Sequence, residues 1–281
     1  MPKDSLFQTT FGERPLPATR IHSERNLVVD TSQGWGEVPS LLRSGKKLSE
    51  PWESLFGGLR PASASRPIVV GQIGQSLDGR IATLSGHSRY INGPEGIAHL
   101  HRLRALVDAV VVGAGTVRAD DPQLTVRHVS GPNPVRVVID PRGTLPATAR
   151  PFTPDGVRRI VVTCENAQLN TSDDIETIVL PAVAGRIAPR AILDALNERG
   201  MGRILIEGGA QTVSSFLSAG CLDRLHVVVA PMILGSGITG LDLPPIADMT
   251  GAMRVPMCAY SLGTEILFDC DLSAQRTCKW T

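Results

Sequence analysis

From residue 68 onward, short β-branched apolar runs alternate with helix-like segments, and no other feature restricts the fold as much. The runs are residues 68–73, 109–112, 135–139, 159–163, 177–180, 203–207, 225–230 and 265–269. Most are continuously apolar rather than alternating, which is the pattern of strands covered on both faces. Between them, residues 94–107 have a Pro near the start, while 189–199 and 211–219 are each followed by a glycine, Gly200 and Gly220. These are helix start and stop signals. Strand and helix in regular alternation predict an α/β domain with a mainly parallel sheet and helices on both faces.

Residues 1 to about 65 have a different texture. Five prolines (Pro15, Pro17, Pro39, Pro51, Pro61), scattered charges and no sustained period predict an irregular arm, with one short helix near residues 38–43. Trp35, Trp52 and Phe56 are its large anchors, against the main domain or a partner subunit, and residues 61–67 read as a linker. The domain proper is then 66–281.

Composition removes several classes of function. Twenty-eight Lys plus Arg against 27 Asp plus Glu leave a net charge of +1, so there is no basic field for nucleic acid. Aromatic residues make up only 4%, too few for an extended base-stacking platform. No apolar run approaches the roughly 18 residues of a membrane span, and MPKDSLFQTT has no apolar h-region, so secretion is not expected. The five cysteines are scattered without a CxxC pair, as expected of reduced thiols in a cytoplasmic protein. No G-x-S-x-G elbow, P-loop or zinc-deaminase signature is present, and no metal site is expected.

Three segments hold the candidate chemistry. Residues 203–220 run from an apolar strand ending in Glu207 through Gly208 and Gly209 into a helix. Such a turn lets a ligand approach the backbone and offers free N–H groups to an anion, although paired glycines can also simply make a tight turn. Glu207 stands at the strand's carboxyl end, where open α/β sheets place ligands. Residues 110–127 enter Gly113 and Gly115 and then carry Thr116, Arg118, Asp120, Asp121 and Arg127. This is not the dinucleotide fingerprint, and Asp121 before Pro122 reads as a turn, leaving Asp120 for the ligand side. Residues 71–88 read as a loop crossing the sheet's end, in which Asp78–Gly79 taken alone is a turn.

Arg104 falls on the edge of the apolar arc of its helix. An inward guanidinium needs an anion, supplied either by a carboxylate of the protein or by a ligand phosphate. His99 lies within the same arc and reads as a satisfied core histidine; His87, in a loop, is open.

Taken in order, SLDGRIA, SGHS, GAGTVRADDPQLTVR, PVRVVID, IEGGAQTVSSFL and APMILG resemble the riboflavin-biosynthesis pyrimidine reductase family. The resemblance runs from about residue 68 to 269 and implies a dihydrofolate-reductase-like fold. It also implies NADPH-dependent reduction of 5-amino-6-(5-phosphoribosylamino)uracil, a phosphorylated pyrimidine, to its ribitylamino product by a cytoplasmic homodimer. By motif position, Gly74, Tyr90, Thr116, Asp120 and the turn Gly209, Ala210, Gln211, Thr212, Val213, Ser214, Ser215 hold NADPH. Ser88, Arg104, Leu124, Arg127 and Glu207 line the substrate, with both arginines on its phosphate. Arg118 and Arg142 are candidates for the cofactor's 2′-phosphate, Glu207 and Asp78 for catalytic roles. The chain departs from the family pattern at Gln72, where a lysine is usual, at His87 and Tyr90, and at Pro141 after Asp140. Gln72, neutral where a lysine is usual, together with His87 alters the electrostatics of the site, so a related pterin or pyrimidine, including dihydrofolate, is one alternative; Gln72 and Pro141 leave a non-catalytic nucleotide-binding role as another.

Overall fold

The computed structural model describes residues 34–60, 66–89, 91–168 and 172–277. Two short helices, α1 (Val38–Arg43) and α2 (Trp52–Phe56), precede the domain. The domain opens with β1 (Ile68–Ser76), β2 (Arg80–Thr83), α3 (Pro94–Leu106), β3 (Ala109–Gly113) and α4 (Ala114–Asp120). Next come β4 (Val135–Ile139), β5 (Arg159–Thr163), β6 (Glu176–Val179), β7 (Ala182–Val183), β8 (Arg186–Ile187) and α5 (Pro189–Asn197). The last elements are β9 (Arg203–Glu207), α6 (Ala210–Ser218), β10 (Arg224–Ala230), β11 (Gly237–Thr239), β12 (Met257–Leu262) and β13 (Glu265–Asp271).

Nine strands form one sheet in the order β12-β13-β10-β1-β9-β3-β4-β5-β6. The run from β10 to β6 is parallel throughout, and β13 and β12 add an antiparallel edge. The expected mainly parallel α/β sheet is therefore observed.

The period of two along the strands divides the core. Val110, Val112, Val138, Val161 and Leu205 face α3, whereas Val111, Val137, Ile160, Ile204 and Ile206 face α5 and α6. Helices thus cover both faces, and apolar residues at every strand position are what that requires.

The described part of the arm belongs to the α3 layer. Trp35, Trp52 and Phe56 are buried in one core with Leu103 and Leu106. Phe56 stacks on His99, with ring centroids 5.5 Å apart. The Arg102 guanidinium lies 5.2 Å from the Trp52 ring, and Trp35 Nε1 donates to the Ser130 carbonyl at 2.7 Å. The predicted helix at 38–43 is present as α1.

Two segments differ from expectation. Residues 71–88 are not a crossing loop, because β1 continues to Ser76 and turns into β2, which pairs antiparallel with β11. Residues 114–120 form helix α4, which periodicity missed because only Ala114 and Val117 of this short helix are buried.

Candidate active site

One open cleft of about 1170 Å³ lies at the carboxyl ends of the parallel strands, between α3, α4 and the start of α6. Its centre is an ion pair. Arg104 Nε and one terminal nitrogen of its guanidinium donate to the two carboxylate oxygens of Glu207, both at 2.7 Å. The two side chains are only 6% and 7% exposed. The other terminal nitrogen donates to the Thr125 carbonyl at 3.1 Å. Of the two partners the sequence allowed for Arg104, the structure shows the protein's own carboxylate.

Arg127 converges on the same place. Its guanidinium donates to Thr125 Oγ1 at 2.9 Å and lies 3.5 Å from the Thr125 carbonyl. Its pKa is held below the usual arginine value, first by desolvation and then by the charges of Arg104 and Arg150. Two guanidinium groups therefore meet beside one carboxylate, and the local excess of positive charge favours an anion. Arg127 stands outside the cleft wall itself.

Leu124 is buried on the cleft wall in a left-handed conformation, φ 59°. Ser88 and Asp120 also line the cleft and are joined there, Ser88 Oγ donating to Asp120 Oδ1 at 3.0 Å. Asp121 takes the turn role expected of it, with φ 39° and its Oδ1 accepting the Arg150 N–H at 2.8 Å.

The turn between β9 and α6 is built for close approach. Gly208 has φ +115°, and a Cβ there would lie 2.6 Å from Thr116 Oγ1. That hydroxyl accepts the Gly209 N–H at 2.8 Å, locking the start of α4 to the start of α6. Gly209, Ala210, Gln211 and Thr212 line the cleft, and α6 begins without a side-chain cap. Uncapped N–H groups facing a cleft are an anion site, which is the fit a dinucleotide phosphate requires.

The rest of this motif does structural work. Val213 packs among the core residues between the sheet and α5, and Ser214 Oγ accepts the Asp242 N–H at 2.8 Å. Ser215 is exposed and off the cleft wall. None of these three residues lines the cleft. Gly74 lines the cleft, where a Cβ would lie 1.7 Å from Asn92 Oδ1, so the side chain is excluded by a neighbour as well. Tyr90 lies outside the described residues.

Asp78 does not join these residues. It is absent from the cleft wall and holds the β1–β2 turn to the chain after β10. Its carboxylate accepts from Ser76 Oγ at 2.6 Å, the Leu234 N–H at 3.0 Å and the Gly235 N–H at 2.7 Å. The Ser76 bond first, then the backbone donors, lower its pKa to about 2. A carboxylate so held has no proton to give near neutrality.

On the cofactor side, Arg118 bonds the Thr144 hydroxyl and lies 3.9 Å from buried Asp140. Arg142 and Arg186 also line the cleft, and neither has an ion-pair partner among the described residues. Sequence reasoning missed Arg186, which sits on the small β7–β8 hairpin. Its turn residues Ala184 and Gly185 both have positive φ, 51° and 74°, as a two-residue hairpin demands. An Ala-Gly pair is a weak signal for such a turn. No group of three potential metal ligands occurs among the described residues, and no described helix is long and apolar enough to cross a membrane.

Residues 67–252 match the model of the RibD C-terminal domain. The chain belongs to that family. It is 35% identical over 212 residues to the 2,5-diamino-6-ribosylamino-4(3H)-pyrimidinone 5′-phosphate reductase of Methanothermobacter thermautotrophicus, covering 73% of this chain and 97% of that one. It is 36% identical over 182 residues to the riboflavin biosynthesis protein RibD of Aquifex aeolicus, covering 63% of this chain and half (50%) of that protein. Among solved structures it resembles the Thermotoga maritima diaminohydroxyphosphoribosylaminopyrimidine deaminase/5-amino-6-(5-phosphoribosylamino)uracil reductase. That match has a TM-score of 0.65 at 30% identity and covers 73% of this chain and 56% of the other. This RibD-family chain thus spans nearly the whole of an archaeal reductase but about half of the longer RibD proteins.

Proposed function

We propose that this protein reduces a 5-phosphoribosylaminopyrimidine to its ribitylamino product in riboflavin biosynthesis, using NADPH. The observation that carries this reading is the meeting of Arg104, Arg127 and Glu207 at Thr125, a few residues in space from an uncapped helix start. An anion-attracting pocket with one carboxylate beside a second phosphate cradle suits a phosphorylated acceptor and a dinucleotide in one cleft.

NADPH, when bound, supplies the hydride that reduces the ring-opened ribose at C1′. The turn from Gly208 to Thr212 holds its phosphates, and Thr116 keeps that turn in shape. Arg127 takes the substrate phosphate. Arg104 fixes both oxygens of Glu207, so that this carboxylate meets the polar groups of the substrate in one orientation. Leu124 supplies an apolar wall that excludes water from the reacting face. Arg142 and Arg186, two cleft cations without an ion-pair partner among the described residues, are placed to favour NADPH over NADH.

Homodimer formation is part of this proposal. The segment after β10 exposes Ile233 at 76% and Met249 at 68%, an apolar surface of the sort subunits cover. Equilibrium sedimentation of the full chain tests it, and a monomer at micromolar concentration refutes it. The assay for the activity is loss of NADPH absorbance with four acceptors: the phosphoribosylaminouracil, the 2,5-diaminopyrimidinone phosphate, its dephosphorylated form and dihydrofolate. Turnover of a phosphorylated pyrimidine is expected; turnover of dihydrofolate alone, or of none, overturns the reading.

A further inference from the structure

The loop that carries Arg127 is held in place by side chains. Between α4 and β4, residues 122–134 adopt neither helix nor strand, and none of their backbone groups pairs with another backbone group among the described residues. Asn133 Oδ1 accepts the Val126 N–H at 2.7 Å, and Trp35 Nε1 donates to the Ser130 carbonyl at 2.7 Å. Two further bonds come from α3. Arg104 donates to the Thr125 carbonyl at 3.1 Å, and His101 Nδ1 accepts the Arg127 N–H at 3.0 Å. Three residues apart, His101 and Arg104 are neighbours on one face of the helix. One donates and the other accepts, so together they seize a carbonyl and, two residues later, an N–H.

His101 is 2% exposed and stands off the cleft wall, so its influence on a ligand runs through the loop. Its Nδ1 accepts an N–H only while that nitrogen is unprotonated. The surroundings enforce that state. Burial first, then the charges of Arg104 on its own helix and of Arg127 and His128 on the loop, lower its pKa to about 3. The His128 ring lies against it, with centroids 4.6 Å apart. Arg104 and Arg127 repel each other, so the loop needs a tether at Arg127, and a neutral acceptor gives one without adding a third cation. Resting on the reductase reading, in which Arg127 takes the substrate phosphate, we infer that His101 is a positioning residue for that arginine. It holds the Arg127 backbone where the guanidinium meets the phosphate, against the repulsion of Arg104.

The test compares His101→Leu, which removes the acceptor, with His101→Asn, whose side-chain oxygen reaches the place of Nδ1. Both should lower Tm, Leu by stranding the Arg127 N–H and Asn by leaving part of the ring's volume empty. Only the Leu variant should weaken phosphate recognition. The readouts are the Kd of ribose 5-phosphate by calorimetry and the kcat/KM ratio of phosphorylated to dephosphorylated acceptor. In His101→Leu the Kd should rise, and the ratio fall, about fivefold to tenfold, as for one misplaced charge-assisted contact. In His101→Asn both should stay within about twofold of wild type. Added to Arg127→Ala, His101→Leu should cost no further phosphate affinity, because it acts through a side chain already removed. An unchanged Kd in His101→Leu, equal losses in the Leu and Asn variants, or an additive loss in the double variant overturns the positioning role while the phosphate site stands. If Arg127→Ala itself leaves ribose 5-phosphate binding unchanged, the phosphate site falls and the role of His101 with it.

Discussion

Arg104 and Glu207, 103 residues apart in the chain, share two 2.7 Å hydrogen bonds at the floor of the cleft. The pair ties the last turn of α3 to the carboxyl end of β9. Removing one partner of a buried pair leaves the other charge uncompensated, at a cost of about 3–5 kcal/mol. Arg104→Ala should therefore lower Tm markedly and impair phosphorylated and dephosphorylated acceptors alike. Thermal melts beside kcat/KM on both acceptors check this, and an undisturbed Tm would show that Glu207 does not depend on Arg104.

Arg127 should behave differently. Exposed and without a carboxylate partner among the described residues, it contributes little to the folded state. A charge-assisted contact to phosphate is worth about 1.5–3 kcal/mol, so Arg127→Ala should reduce kcat/KM about tenfold to a hundredfold. The loss should be confined to the phosphorylated acceptor. Equal losses on both acceptors would move the phosphate site elsewhere.

Gly208→Ala tests the cofactor turn. The left-handed side of the backbone map at φ +115° and a Cβ 2.6 Å from Thr116 Oγ1 both oppose a side chain. Strain of this sort costs about 1–3 kcal/mol, and moving Thr116 releases the Gly209 N–H. NADPH affinity should fall together with Tm, whereas Gly36→Ala, off the cleft wall and with a Cβ that meets nothing within 4 Å, should be silent in both. Unaltered NADPH binding in Gly208→Ala would refute the cradle.

Cofactor choice should rest on Arg142 and Arg186 of the cleft wall. Arg142→Ala and Arg186→Ala are expected to weaken NADPH about fivefold to tenfold each while leaving NADH unchanged. Arg118→Ala, already engaged by Thr144, should do less. Titration of both nucleotides into each variant decides, and equal wild-type affinity for the two would sink the assignment.

Acid should unfold the protein through its buried histidines. Burial first, with His226 and Arg102 next, holds His99 well below its ordinary 6.5. Burial, then Arg104, Arg127 and His128, lowers His101 to about 3. A base whose folded pKa is depressed favours the folded state fully above its unfolded pKa and loses that contribution as pH falls toward the folded one. The urea midpoint should thus drop steadily from about pH 6.5 to about pH 4, with a shallower drop in His101→Gln. A flat midpoint over that range would contradict the burial of both rings.

The alternation of apolar runs and capped helices was enough to place a parallel sheet, because residues 109–113, 135–139, 159–163 and 203–207 must each bury both faces and no other arrangement hides them. The motifs were likewise enough to put Glu207, Thr116, Asp120, Arg104 and the glycine turn at one end of that sheet, since parallel strands bring their carboxyl ends together. Tertiary structure alone decided how their charges are used. Asp78 reads from its own segment as a turn residue, and only the fold shows what it anchors, because its donors come from residues 234 and 235, more than 150 positions away. Arg104 had two possible partners in the sequence, and strand register supplied the one on β9.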